Sequence, residues 1–177
     1  MICNLSSLVF VFFLFGSSCY AISESEAKMI CNSTSNPPFC STLLSSNPNS
    51  SLVNLAHQTL VIANANVKNT IKLIHDLIAQ SEKNPEAKGH YKSCLENFGA
   101  DHGALYAIHS TQEFLHKGDY KGMNLAASGI MDSIEYCISG ESPTDPRFDD
   151  PSVLPMFGAV INSVVDVLLV ISNHLGH

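Results

Sequence analysis

The chain has 177 residues, of which 45% are hydrophobic, and a net charge of −7. That is material for one domain with a sizeable core and too little for an enzyme with a second domain. The acidic balance argues against nucleic acid as a partner and favours a basic protein surface.

Met1 to Ala21 carries no charged side chain and holds the apolar run Leu8-Val9-Phe10-Val11-Phe12-Phe13-Leu14-Phe15. Gly16, Ser17 and Ser18 follow, and Cys19 and Ala21 then occupy the small-residue positions of a signal-peptidase site. Residues 1–21 therefore read as a signal peptide and residues 22–177 as the mature domain. A membrane anchor is the alternative, but the run is much shorter than the ~20 residues a span needs. Removing the leader takes Cys3 and Cys19 with it and leaves Cys31, Cys40, Cys94 and Cys137. An even number in an exported chain argues for two disulfides, with three pairings open. Cys31 and Cys40 are close enough to staple a local hairpin, which favours Cys31–Cys40 and Cys94–Cys137. Zinc is the other use of such cysteines, but no pair has the short ligand spacing. The sequons Asn32-Ser33-Thr34 and Asn49-Ser50-Ser51 are candidate glycosylation sites and fit export.

Glu24 to Ser46, interrupted by Asn36-Pro37-Pro38, reads as a helical hairpin. A long helix follows from about Ser50 to Gln80, with Val53, Ala56, Leu60, Ala63, Val67, Thr70, Ile74 and Leu77 as its inward seam. Asn84-Pro85 ends it, and Pro85 suits the first turn of the next helix. That helix is expected from about Glu86 to His116, with Tyr91, Cys94, Phe98, Asp101, Leu105, Ile108, Gln112 and Leu115 on one side. Gly118 and Asp119 supply a terminator and a cap, and a third long helix runs from Tyr120 to Ser139. Gly140 to Pro155, with four prolines and four acids, reads as an extended connection. Phe157 to Leu175 is the last helix, with Phe157, Ile161, Val164, Leu168, Ile171 and Leu175 on one stripe. It is apolar enough for the bundle interior, and Asn162 and Asp166 argue against a membrane span. No segment alternates like a strand, so the fold is expected to be all-α.

Several ordered stretches carry a family resemblance: Ile30-Cys31…Thr34…Pro37/Pro38-Phe39-Cys40…Leu43, then Tyr91-Lys92-Ser93-Cys94-Leu95-Glu96-Asn97-Phe98. Phe114-Leu115-His116-Lys117-Gly118-Asp119-Tyr120, Ala127-Ser128, Cys137 and Asp166 to Asn173 follow. In these residues the chain resembles the plant invertase and pectin methylesterase inhibitor family. The resemblance covers nearly the whole mature chain and implies an antiparallel four-helix bundle with an N-terminal helical hairpin and two disulfides, each joining consecutive cysteines. The turn at Gly118-Asp119-Tyr120 and the Asp166 to Asn173 segment look closer to the pectin methylesterase inhibitors. The implied activity is inhibition of a cell-wall pectin methylesterase by a stoichiometric complex that occludes its active-site cleft. Invertase is the alternative target, and secretion to the cell wall or apoplast is the implied location. The target-facing positions carried over are Glu96, Asn97 and Asp119, with Asp101 close to one. The chain departs from the family pattern in three places. The interval from Cys94 to Cys137 is a few residues long, Tyr136 stands where a threonine commonly precedes the last cysteine, and Ile138-Ser139-Gly140 replaces the acids that usually follow. Tyr136 is thereby a further candidate for target contact.

The remaining chemistry reads as absent. There is no Gly-x-Ser-x-Gly elbow, no phosphate loop and no His-Glu-x-x-His, so neither an enzyme nor a cofactor is expected. His102, His109 and His116 recur every seven residues, with Glu113 between the last two. Metal binding and pH sensing are both conceivable uses of such a row, and a solvated polar stripe is the plainer one. A small-molecule carrier would need a cavity that the large seam residues are expected to fill.

Overall fold

The computed structural model describes residues 21–46, 49–140 and 148–176, and its described residues form seven α-helices and no strand. They are α1 (Glu24–Asn32), α2 (Pro37–Ser45), α3 (Leu52–Gln80), α4 (Pro85–Phe98), α5 (Ala104–Lys117), α6 (Tyr120–Ser139) and α7 (Leu154–Leu175). The leader expected over residues 1–21 lies outside the described residues except for Ala21, as does 141–147 of the expected extended connection.

The helix limits follow from local chemistry. Ser23, Asn36, Ser51, Asn84 and Asp119 each stand just before a helix, and each side chain accepts a backbone N–H from its first turn. That satisfies one of the donors a helix start leaves unpaired. Gly118 closes α5 with φ of 68°, a left-handed conformation that glycine adopts without a Cβ penalty.

Four rods make the bundle. α3 packs against α4, α5 and α7, and α6 packs against the same three helices, so α4 and α5 run end to end as one broken rod between α3 and α6. Neighbouring rods are antiparallel. Gly122 faces Phe114 and Gly129 faces Ala107 across α5 and α6, while Gly158 faces Ile134 and Ile138 across α6 and α7. Buried residues at helical spacing fill the interior: Leu60, Ala63, Val67 and Ile74 from α3, Ile130 and Ile134 from α6, and Ile161, Val164, Leu168 and Ile171 from α7. By composition and length α7 could cross a membrane, but here it packs against α3 and α6 as a core helix.

The α1–α2 hairpin lies on α7. Its own staple is Cys31–Cys40, and its turn is clamped where the Ser35 N–H and hydroxyl both donate to the Asp166 carboxylate at 2.6 and 2.7 Å. Asp166, which interrupts an apolar helix in the sequence, thus has a structural partner 131 residues away. The second disulfide, Cys94–Cys137, ties α4 to α6 with Cα atoms 4.5 Å apart. Both bonds follow the expected pairing.

Three expectations are corrected. The helix expected over Glu86–His116 is two helices, interrupted at residues 99–103. Val53 faces solvent, and Leu55 and Thr59 take its place in the α3 seam. α7 begins at Leu154, three residues before Phe157, because Pro155 falls in its first turn, where a missing N–H costs nothing.

Candidate functional site

The break between α4 and α5 has a steric origin. Gly103 approaches the end of α4 so closely that a Cβ there would lie 2.4 Å from the Asn97 carbonyl oxygen and 2.7 Å from that of Glu96. Gly99 N–H closes on Glu96 O at 3.0 Å, and Tyr106 N–H reaches back to Gly99 O at 3.3 Å. Register shows how much chain the break absorbs. Cys94 is bonded to Cys137 and Ala107 faces Gly129, so thirteen residues of the broken rod run beside only eight of α6. The five surplus residues match the excursion at 99–103.

This excursion gathers three of the candidate residues. Glu96 is exposed and Asn97 half-buried in the last turn of α4, and Asp101 is exposed in the break itself rather than on a helical seam. Glu96 and Asp101 make no side-chain hydrogen bond or ion pair with a described residue, and the last turn of α4 holds no basic side chain. A carboxylate at the negative end of a helix is placed against the dipole, so folding leaves this charge uncompensated. Asn97 Nδ2 is buried without a partner among the described residues.

Asp119 is elsewhere. It lies beyond the far end of α5, about 20 Å along the rod from Asp101 at 1.5 Å per residue. Its side chain accepts the Gly122 N–H at 2.9 Å as the cap of α6, so it has a structural task already. Tyr136 precedes the half-cystine of α6 and is 46% exposed, which places an aromatic surface close to the tied α4–α6 pair.

The histidine row does not assemble. His102 is in the break, His109 and His116 are exposed on α5, and Glu113 pairs with Lys117 at 3.4 Å. No group of three metal-ligating side chains converges among the described residues. A different polar cluster, which no local pattern announces, joins α4 to the segment before α7. The Asp150 side chain is 5% exposed, and its Oδ1 accepts from Tyr91 Oη at 2.8 Å and from the Ser152 N–H at 2.9 Å. Its Oδ2 has no hydrogen-bond partner among the described residues and lies 3.8 Å from His90 Nε2. His90 stacks on Phe148 with ring centroids 4.4 Å apart. Burial holds the His90 imidazole below its ordinary value against the opposing pull of Asp150, and burial together with the Asp150 hydrogen bond pushes the Tyr91 phenol up. Residues 91 and 150 are 59 positions apart, and only the folded chain brings them together.

The described residues form a disulfide-tied, all-α four-rod bundle whose second rod is broken, with exposed carboxylates beside the break. The plant invertase/pectin methylesterase inhibitor family pattern matches residues 25–156. A pectinesterase inhibitor of Actinidia deliciosa is 35% identical over 149 residues, 82% of this chain and 77% of that protein. Pectinesterase inhibitor 1 of Arabidopsis thaliana is 34% identical over 174 residues, 97% of this chain and 93% of the relative. Among solved structures, a mutant form of a pectin methylesterase inhibitor from Arabidopsis superposes with a TM-score of 0.70 at 28% identity, covering 84% of this chain and 95% of that one. The chain belongs to the plant invertase/pectin methylesterase inhibitor family.

Proposed function

We propose that the chain is a secreted inhibitor of plant cell-wall pectin methylesterase, forming a stoichiometric complex that covers the enzyme's substrate cleft. Relatives named as pectinesterase inhibitors that align with up to 97% of the chain carry the choice of target. The geometry supports the surface. Glu96, in the last turn of α4, and Asp101, on the sterically fixed excursion, are acids without a partner among the described residues, ready to meet basic side chains, and such complementarity governs encounter rate and partner choice. Tyr136, exposed on α6 next to the half-cystine tied to α4, adds an aromatic surface to the candidate face. Asp119 serves the fold as a cap and takes a smaller part in recognition.

Charge removal separates the roles. Glu96→Gln and Asp101→Asn slow association with the enzyme and flatten its dependence on salt, whereas Asp119→Asn leaves association near wild type. Equal association rates for all three variants would remove the excursion from the interface.

A further inference from the structure

The two sequons are not equivalent once the fold is known. Asn32 is the last residue of α1, next to a half-cystine, and borders a cleft of 610 Å³ between the hairpin helices. Burial does not separate the sites: both asparagines are exposed, and Thr34 and Ser51, the hydroxyl residues of the two sequons, are each 8% exposed. Thr34, however, donates its O–H to the Cys31 carbonyl at 2.7 Å. Asn49 lies in the turn before α3. The hydroxyl residue of its sequon, Ser51, is in extended backbone and accepts from the Asn54 N–H, so its own O–H is not consumed by that cap.

The order of synthesis sharpens the contrast. The hairpin is a local element whose cysteines are nine residues apart, so it can close once Cys40 has been made. The segment holding Asn49 is fixed through α3, and α3 packs against α7, which begins 105 residues after Asn49. At about 5–20 residues per second that delay is roughly 5–20 s. Asn32 therefore competes with its own disulfide for an unfolded sequon, and Asn49 does not.

We propose that Asn49 is the N-glycosylated residue of this protein and that closure of Cys31–Cys40 withholds Asn32 from the same modification. This rests on the reading that the chain enters the secretory pathway. The donor is a polyprenyl-diphosphate-linked oligosaccharide. A bond forms between the Asn49 side-chain nitrogen and C1 of the terminal sugar. The bond from C1 to the diphosphate oxygen breaks, the polyprenyl diphosphate departs with the electron pair, and an amide proton passes to a base of the transferase. In the finished fold, Asn49 stands at the start of α3. His57 of that helix meets His116 near the Asp119 end of the bundle, so a glycan there leaves the excursion at 99–103 uncovered.

Glycopeptide mass spectrometry of the full chain made in a eukaryotic secretory host tests this. The expected result is one glycan at Asn49, Asn32 bare in most molecules, and loss of the glycan in Asn49→Gln. Cys40→Ser moves Asn32 from mostly bare to mostly occupied while Asn49 stays occupied, and this is read equally well on chain retained inside the cell, because transfer takes place before the four-rod bundle is assembled. A bare Asn49, or an Asn32 occupancy that Cys40→Ser does not change, overturns the proposal. A parallel chain with the host's own leader in place of residues 1–21 separates the two readings. Glycans on that chain alone mean that the native leader failed, and a bare Asn49 on it means that this inference failed.

Discussion

Replacing either of two glycines of the broken rod by alanine adds the same methyl group to opposite effect. At Gly103 the new Cβ would lie 2.4, 2.6 and 2.7 Å from backbone atoms of Asn97 and Glu96, which cannot swing aside as a side-chain tip can. The φ of Gly103 is −93°, so the requirement is for space and not for a left-handed conformation. Forcing a methyl into such a contact costs about 1–3 kcal/mol. At Gly89, exposed in the interior of α4, nothing lies within 4 Å of the new atom. There alanine lowers the entropy cost of the helix and stabilises by about 0.5–1 kcal/mol. For a chain of this size each kcal/mol moves Tm by about 2–4 °C. Gly103→Ala should thus lower Tm by roughly 2–12 °C and Gly89→Ala raise it by roughly 1–4 °C. Thermal unfolding of the oxidised proteins followed by circular dichroism measures both. Gly103→Ala melting at or above the wild-type temperature would refute the close approach that creates the excursion.

The disulfides should differ in effect. Closing the 43-residue interval Cys94–Cys137 is worth about 4 kcal/mol on chain entropy and the nine-residue interval Cys31–Cys40 about 2.6, so Cys137→Ser lowers the denaturation midpoint more than Cys40→Ser. His90 sets a pH dependence. Its folded-state value lies below the ordinary 6.5, so its contribution is full above that pH and is lost as pH falls through the depressed value. His90→Gln should flatten that part of the stability profile, and an unchanged slope would contradict the burial. Tyr91→Phe removes the 2.8 Å hydrogen bond to the buried Asp150 carboxylate and should cost about 1.5–3 kcal/mol in urea unfolding. Asp119→Ala should cost about 1 kcal/mol as a lost helix cap, whereas Glu96→Ala, which has no folded partner, should leave stability nearly unchanged.

One helix start marked by the side chain that caps it was legible in the sequence, whereas the caps at Ser23, Asn36 and Ser51 emerge only with the fold. α6 runs over Tyr120–Ser139 as expected because Gly118 and Asp119 signal its start by local chemistry alone. The break in the second rod was not. The apolar spacing passes from Phe98 through Leu105 to Ile108 and Leu115 with no visible gap, and the buried set in α5 is Ala104, Ile108, Thr111 and Leu115, displaced by one position at two sites. Gly99 and Gly103 were the available signal, but a glycine in a periodic stretch does not reveal that another strand of backbone crosses it at contact distance. For the same reason Asp101 read as a seam residue and proves to be an exposed tip. The Asp150 cluster depends on tertiary packing between distant segments, which no window of local sequence contains. Of the candidate contact residues, the sequence supplied identities, and the fold sorted Glu96 and Asp101, without partners, from Asp119, which has one.

Inhibition itself is measured most directly by titrating the purified, disulfide-intact protein into plant cell-wall pectin methylesterase, with an invertase of the same compartment in parallel, at acidic and neutral pH. The account predicts that methylesterase activity falls linearly to an end point at one inhibitor per enzyme while invertase activity is unchanged. Full methylesterase activity in the presence of excess, correctly folded protein would contradict it.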